Sequence, residues 1–428
     1  MNKTLSYDDV LLKPQYSDIR SRNEISLYTD LGNGLHLSLP IISSPMDTIS
    51  EGAMAIAMME TGGTAVIHRY NTIEEQCRII EVSVGAQTDR TLTADTPSRE
   101  IGAAVGVSGD YLERAMAARK AGATFICVDI AHGHHIMMKE ALSSLRESLG
   151  ISYHLMAGNV ATLEGINALA DWGANSVRCN IGGGSICSTR IQTGHGLPGF
   201  QTIIECAKTD RDVSIIADGG IKTSGDMVAG ADAVMCGSVF SGTDEAPGKI
   251  FEEADGTRWK TYRGMASKEA QLSWRGKYSS HEGVSARVPY RGSVTKLLED
   301  MERGIRSGLS YSGARTVAEL QSVADFVGKN QKRIIFTDTD HRHVQLVLKL
   351  KNDGLTQAKF FRSVVSGYLL DDYRIREFVV ENGGLSMEKR QMNLNLLKKG
   401  KKTMQDLGLS EEQVGDIFDM IAEEFPEL

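Results

Sequence analysis

The chain has 428 residues, of which 41% are hydrophobic and 24% charged, with a net charge of -8. That balance is ordinary for a globular protein in water, and the acidic excess argues against generic nucleic-acid binding by the whole chain. No apolar run nears the roughly 18 to 20 residues that span a bilayer. The N-terminal MNKTLSYDDVLLKP lacks the apolar core of a secretory signal. Six cysteines with no CxxC pair give neither a disulfide framework nor a zinc site, so a reducing cytoplasm is the expected home.

In chain order, short apolar runs alternate with longer helical patterns as far as about residue 240. The runs are Pro40 to Pro45, Thr64 to Arg69, Ile101 to Val107 and Phe125 to Ile130, then His154 to Val160, Ser176 to Ile181, Ser214 to Gly220 and Ala233 to Ser238. Between them lie stretches such as DYLERAMAARKAG and TLEGINALADWG, several closed by a glycine where a helix C-terminus needs one. Eight buried runs separated by helices predict a parallel sheet covered on both faces. About 250 residues of that rhythm suit a (β/α)8 TIM barrel better than a doubly wound sheet, and no dinucleotide GxGxxG opens the first unit.

A barrel carries its chemistry at the C-terminal ends of its strands, often with phosphate held after strands seven and eight. Here strand seven ends in Asp218-Gly219-Gly220 and strand eight in Gly237-Ser238, turns whose backbone N–H groups can hold an anion without Lys or Arg. Strand four ends in Asp129 and AHGHH, and strand five in Gly158-Asn159. Each such residue alone reads equally as a helix cap; together they converge on one end of the barrel.

The sixth unit, SVRCNIGGGSICSTRIQTGHGLPGF, is the most informative. Its mostly uncharged strand breaks at Gly182, Gly183 and Gly184 and then presents Ser185, Cys187, Ser188, Thr189 and Arg190. Glycines let a backbone approach a ligand closely, and a thiol just beyond such a turn, with hydroxyls and a guanidinium beside it, fits an activated nucleophile. The alternative is a buried structural cysteine next to a flexible loop.

CNIGGGSICSTR, ADGGIKTSGD, CGSVFSGTDEAPG and YRGMAS together resemble the IMP dehydrogenase and GMP reductase family. LSYDDVLLKP, SSPMDT, IAHGH and AGNVAT extend the resemblance over roughly residues 3 to 328. It implies that Cys187 attacks C2 of a purine nucleotide to give a thioimidate. It implies that Ser185, Asp218, Gly219, Gly220, Gly237 and Ser238 hold the phosphate and ribose, with Tyr262, Gly264, Met265 and Gly283 on the phosphate and base side. Ser43 and Met46 would lie below the nucleotide, and Asn159 joins the substrate set. Asp129 would face the nicotinamide ribose, with Ala131 beside it; Arg69 is assigned either to the cofactor's 2′-phosphate or to capping strand two. Carbonyls of Gly182 and Gly184 match positions that bind K+ in IMP dehydrogenases. The loop departs from the family pattern at Asn180, where a glycine is usual.

Three features divide the family's two reactions. Only about 30 residues separate His68 from Ile101, too few for the regulatory insertion usual in dehydrogenases. The flap MASKEAQLSWRGKYSSHEGVSARVPYRG has no Arg-Tyr pair to activate water, whereas Glu282 and Thr189 match the glutamate and threonine of GMP reductases. A Thr–Glu pair can relay a proton to departing ammonia; the alternative for Glu282 is a solvated loop carboxylate. The expectation is a GMP reductase using NADPH. IMP dehydrogenase with NAD is the alternative, and an inactive nucleotide-binding or scaffold barrel the second. GMP and IMP are the expected ligands, and a homo-tetramer the assembly that the resemblance implies.

The domain is assigned to residues 1–330, followed by a small, mainly helical module over 331–428. KRIIFTDTD reads as a strand, HRHVQLVLKLKNDG and LTQAKFFRSVVSGYLLDD as amphipathic helices, and the last forty residues as two more helices. A strand followed by two helices is similar to ribbon–helix–helix DNA binders. However, 15 Lys and Arg against 16 Asp and Glu leave no basic footprint, which favours a protein contact over DNA.

Overall fold

The structure is a computed structural model that describes residues 4–86, 99–228, 230–278, 282–328, 333–336 and 346–349. Two compact units divide the chain, Met1–Gly328 and Lys329–Leu428. In the first, eight parallel strands close into a barrel: β1 (Ile41–Ser43), β2 (Thr64–Ile67), β3 (Ile101–Val105), β4 (Phe125–Asp129), β5 (His154–Val160), β6 (Ser176–Cys179), β7 (Ser214–Asp218) and β8 (Ala233–Cys236). Each falls inside one of the eight apolar runs. β8 pairs with β1 through Val234 and Ile41, which closes the ring.

Side chains alternate across this wall, as the strand period requires. Ile42, Val66, Ala104, Phe125, Cys127, Met156, Ile216 and Met235 form one buried cluster. Ile41, Ala65, Ile67, Ile101, Ala103, Val105, Ile126 and Val128 belong to a second, with residues of the surrounding helices. Gly102 is demanded by this packing, because a Cβ there would stand 2.4 Å from the Phe125 ring. Helices α1 (Gly52–Glu60), α2 (Ile73–Gly85), α3 (Tyr111–Lys120), α4 (Ile136–Leu149) and α5 (Leu163–Asp171) follow the first five strands. Thr72 and Thr162 cap α2 and α5, each hydroxyl accepting the backbone N–H three residues on. The long α6 (Val294–Tyr311) buries Val294, Leu298, Met301, Ile305 and Leu309, a regular i, i+3/i+4 stripe. The N-terminal Val10–Leu12 pairs antiparallel with Phe326–Gly328, so both ends of this unit are tied together.

Leu31, Leu35 and Leu37, on and beside a small hairpin (Thr29–Asp30 with His36–Leu37), join the inner cluster near the N-terminal ends of the strands. There the buried His154 lies between the Gly32 carbonyl and the Ser176 hydroxyl, 2.8 Å from each. A carbonyl only accepts, so Nδ1 carries the proton and Nε2 takes the serine hydrogen. Burial holds this imidazole down at about 4. The unfolded chain therefore binds the extra proton first, and stability falls as pH drops from about 6.5 through 4. Denaturant titrations should show a loss of roughly 3 kcal/mol across that window, and His154→Gln should remove this part of the slope.

In the second unit the described residues are two strands, Arg333–Phe336 and Leu346–Lys349, paired antiparallel. The first lies in KRIIFTDTD, as expected. The second corrects the helix assigned to HRHVQLVLKLKNDG: Val344, Leu346, Leu348 and Leu350 alternate with period two, and a strand partner selects that pattern over the helical one. The remaining helices assigned to the tail lie outside the described residues.

Candidate active site

At the C-terminal mouth of the barrel lies a cleft of about 310 Å³. The loop after β6 builds one wall. Gly182 has a φ of 74°, in the left-handed region, and a Cβ on Gly183 would stand 2.1 Å from the Asn180 amide. Glycine is thus required at both positions, and Asn180 has filled the space where a smaller residue would leave room. Its Nδ2 donates to the Gly219 carbonyl at 3.2 Å, linking this loop to the one after β7. The Cys187 N–H donates to the Gly184 carbonyl at 3.1 Å, a turn that sets the thiol at the cleft.

The segment carrying Glu282 runs alongside. Ser188 N–H donates to the Glu282 carbonyl at 2.9 Å and Val284 N–H to the Ile186 carbonyl at 3.0 Å, a short antiparallel ribbon that registers Cys187 against Gly283. Side chains continue what the backbone begins. The Thr189 hydroxyl donates to Glu282 Oε2 at 2.7 Å, and Cys187 Sγ lies 3.2 Å from that same hydroxyl oxygen. A carboxylate accepts only, so the hydroxyl spends its hydrogen on Glu282 and leaves a lone pair for the thiol S–H. Thiol, hydroxyl and carboxylate form one continuous proton line. Thr189 is 8% exposed, so little water competes for it.

Beside Gly183 and Gly184 of the cysteine loop, Gly219 and Gly220 have φ of 78° and 77°, successive left-handed residues that turn the chain sharply at the end of β7. Gly237, Ser238, Ser185 and Tyr262 line the same cleft. A Cβ on Gly237 would meet Met46 Sδ at 3.0 Å and the Tyr262 hydroxyl at 3.2 Å. Gly237→Ala should therefore weaken mononucleotide binding by about tenfold, equivalent to about 1.4 kcal/mol. Equilibrium titration would measure it, with a melting temperature near that of the parent showing that the barrel is intact. Burial pushes the Tyr262 phenol up to about 12, although the Ser185 hydrogen bond opposes the shift, so it stays an O–H donor at neutral pH.

The cleft is also lined by a residue that the strand pattern concealed. Arg178 sits on β6 and is 6% exposed. Its guanidinium reaches Asp129 Oδ1 at 2.6 Å on one side and Asp218 Oδ2 at 2.8 Å on the other. Asn159 Nδ2 also donates to Asp218 Oδ2, at 2.7 Å. Burial alone would raise the Asp129 carboxyl, but the Arg178 and Arg69 charges outweigh it and hold it below the ordinary carboxylate range. The Asp218 carboxylate is thus anchored on one oxygen. The one signal available beforehand was a lone Arg within an otherwise apolar strand.

Among the residues singled out, Cys187, Thr189, Glu282, Met46, Asp129, Ala131, Gly184, Ser185, Asp218, Gly219, Gly220, Gly237, Ser238, Tyr262, Gly264, Met265 and Gly283 line the cleft. Ser43 does not: its hydroxyl is fully buried, 2.7 Å from that of Ser50, and Ser44 takes the lining position. Asn159 acts through Asp218 rather than at the surface. Arg69 stands behind Asp129, its Nε 3.8 Å from Oδ2. Gly182 lies outside the lining, against the stem of Arg190, whose guanidinium donates to the Ile181 and Leu197 carbonyls at 3.3 and 2.6 Å. Of the two carbonyls assigned to K+, that of Gly184 accepts the Cys187 N–H at 3.1 Å. His281, beside Glu282 in sequence, is outside the described residues.

Residues 4–335 match the family model described as the IMP dehydrogenase / GMP reductase domain. An inosine-5′-monophosphate dehydrogenase of Nitrosopumilus maritimus is 33% identical, over 76% of this chain and 95% of its own length. A GMP reductase of Leishmania major is 30% identical, over 76% and 94%. The solved structure of a GMP reductase variant from Trypanosoma brucei in complex with guanosine 5′-monophosphate superposes with a TM-score of 0.71 at 28% identity, covering 77% of this chain and 96% of that one. With the barrel, the cysteine loop and the flap segment in this arrangement, the chain belongs to the IMP dehydrogenase / GMP reductase family.

Proposed function

We propose that this oxidoreductase of purine nucleotides is a GMP reductase, converting GMP, NADPH and two protons to IMP, NADP+ and ammonium. One observation carries the reading: Thr189 joins the Cys187 thiol to the Glu282 carboxylate through contacts of 3.2 and 2.7 Å. The thiol loses its proton along that line as its sulfur bonds to C2 of the purine. The same line returns a proton to the exocyclic nitrogen as its bond to C2 breaks and ammonia leaves. The nicotinamide, when bound, supplies a hydride to C2. The C2–S bond then breaks, sulfur keeps the electron pair, and IMP is released.

The remaining lining residues bind and orient. Asp218, held on one side by Arg178 and Asn159, is suited to the ribose hydroxyls. The glycine turns at 219, 220 and 237 offer close backbone approach for the 5′-phosphate, with Ser185, Ser238 and the Tyr262 phenol as hydroxyl donors. Asp129 and Ala131 also line the cleft, and they are suited to the nicotinamide riboside. Following nicotinamide absorbance with GMP plus NADPH, and separately with IMP plus NAD+, tests the proposal. Turnover only with the second pair would replace it with the dehydrogenase reading.

A further inference from the structure

We infer that Asn180 is a positioning residue for the bond-forming step: its side-chain amide ties the cysteine loop to the glycine turn after β7, and so fixes where the Cys187 sulfur stands relative to that turn. This role rests on the covalent part proposed above for Cys187, and it holds for a reductase and a dehydrogenase alike. Asn180 directly follows β6 and is 4% exposed. Its backbone is fastened to β5: the N–H donates to the Val160 carbonyl at 2.9 Å, and the carbonyl accepts Asn159 Nδ2 at 2.9 Å. Its side chain makes the further connection, Nδ2 donating to the Gly219 carbonyl at 3.2 Å. Among the described residues no backbone hydrogen bond runs between 182–187 and 219–221. Yet the two segments touch, since a Cβ on Gly219 would stand 3.6 Å from Gly184, and one on Gly220 3.3 Å from the Gly183 carbonyl oxygen. The Asn180 amide is thus what binds them.

That amide is closely confined. A Cβ on Gly183 would stand 2.1 Å from its Nδ2, one on Gly199 3.4 Å and one on Gly220 3.9 Å, so three glycines surround it. Its Oδ1 is buried and accepts no hydrogen bond from the described residues. A buried amide with half its capacity unused destabilises a fold relative to an apolar group of the same shape. Stability therefore does not account for an asparagine here, whereas the donor contact to Gly219 does. In the reading above a mononucleotide spans the two loops, with its phosphate at one and C2 at the other. The reacting atoms must come within about 3 to 3.5 Å in the right direction. A slip of about 1 Å between the loops can cost about 10²-fold in rate, even while each loop keeps its own contacts with the ligand.

The test uses the full chain and two substitutions of nearly the same shape, with kcat read on whichever nucleotide pair turns over. Asn180→Leu removes the donor together with the unpartnered oxygen. It is expected to melt at or above the parent temperature, to bind the mononucleotide within about threefold of the parent, and to lose kcat by about 10²-fold. Iodoacetamide should label Cys187 in the nucleotide-free variant at the parent rate, because the line from Thr189 to Glu282 is untouched. A kcat within about threefold of the parent, or a loss of mononucleotide affinity as large as the loss of kcat, overturns the inference. Asn180→Asp reads the same tie through pH, and it carries the test alone should the leucine protein not fold. Ionised, its carboxylate faces the Gly219 carbonyl with no hydrogen to give; protonated, it can donate one. Its deficit in kcat, taken against the parent at each pH, should narrow from about 10²-fold to about tenfold between about pH 8 and about pH 5. A deficit that stays constant over that range overturns the inference. The covalent reading fails separately, through turnover retained in Cys187→Ala.

Discussion

Cys187→Ala protein is expected to bind GMP and to lose turnover by at least about 10³-fold, because no other group at the cleft can form the bond to C2. The other five cysteines offer no substitute. Cys127, Cys179, Cys206 and Cys236 are buried; burial pushes the Cys127 thiol up to about 12, and Cys236, which borders the cleft, is 1% exposed with its thiol likewise raised by burial. Cys77 is partly exposed on α2, away from the cleft lining, and burial raises its thiol too. Iodoacetamide should therefore label Cys187 first, and GMP should slow that labelling. Mass spectrometry of the labelled peptide, beside the turnover assay, gives the check. Residual turnover in the alanine variant within tenfold of the parent would end the covalent mechanism.

Glu282→Gln is the second large effect. A glutamine keeps the shape and can still meet the Thr189 hydroxyl, but it cannot take a proton at neutral pH. A lost general acid or base costs about 10²- to 10⁴-fold, so kcat should fall by about 10²-fold or more while KM for GMP moves little. Thr189→Val should cost a similar factor by cutting the same line in its middle. The double variant should then be scarcely worse than either single one, because both changes break one path. Steady-state kinetics of the three proteins decides it. Multiplicative losses would mean that the two residues act independently.

Much of this fold and site is legible in the sequence. Each barrel strand announced itself as an apolar run closed by Gly, Asp, Asn or Ser, since a strand covered on both faces must be continuous in hydrophobicity and must end where the polar chemistry begins. The cysteine loop was legible for the same reason: three glycines are costly unless the backbone needs them. What escaped follows from the limits of period and composition. Ser43 and Ser44 differ by one position, and only the strand's alternation decides which faces the cleft. Arg178 looked like an interruption in a buried strand, yet its charge is satisfied by Asp129 and Asp218 from two other strands. In the second unit, VQLVLKL satisfies strand and helix periods alike, and a cross-strand partner settled it.

The ribbon between Cys187 and Gly283 makes the reactive sulfur conditional. Were residues 282–284 to swing away, the thiol would lose its proton outlet and the neighbouring loop two of its amide ties in the same movement. An idle molecule would then present a blunted sulfur to oxidants and stray electrophiles, and the thiol would be armed only while the flap is seated. The nucleophile and its proton acceptor thus hang on a single ribbon, and a change that loosens one loosens the other.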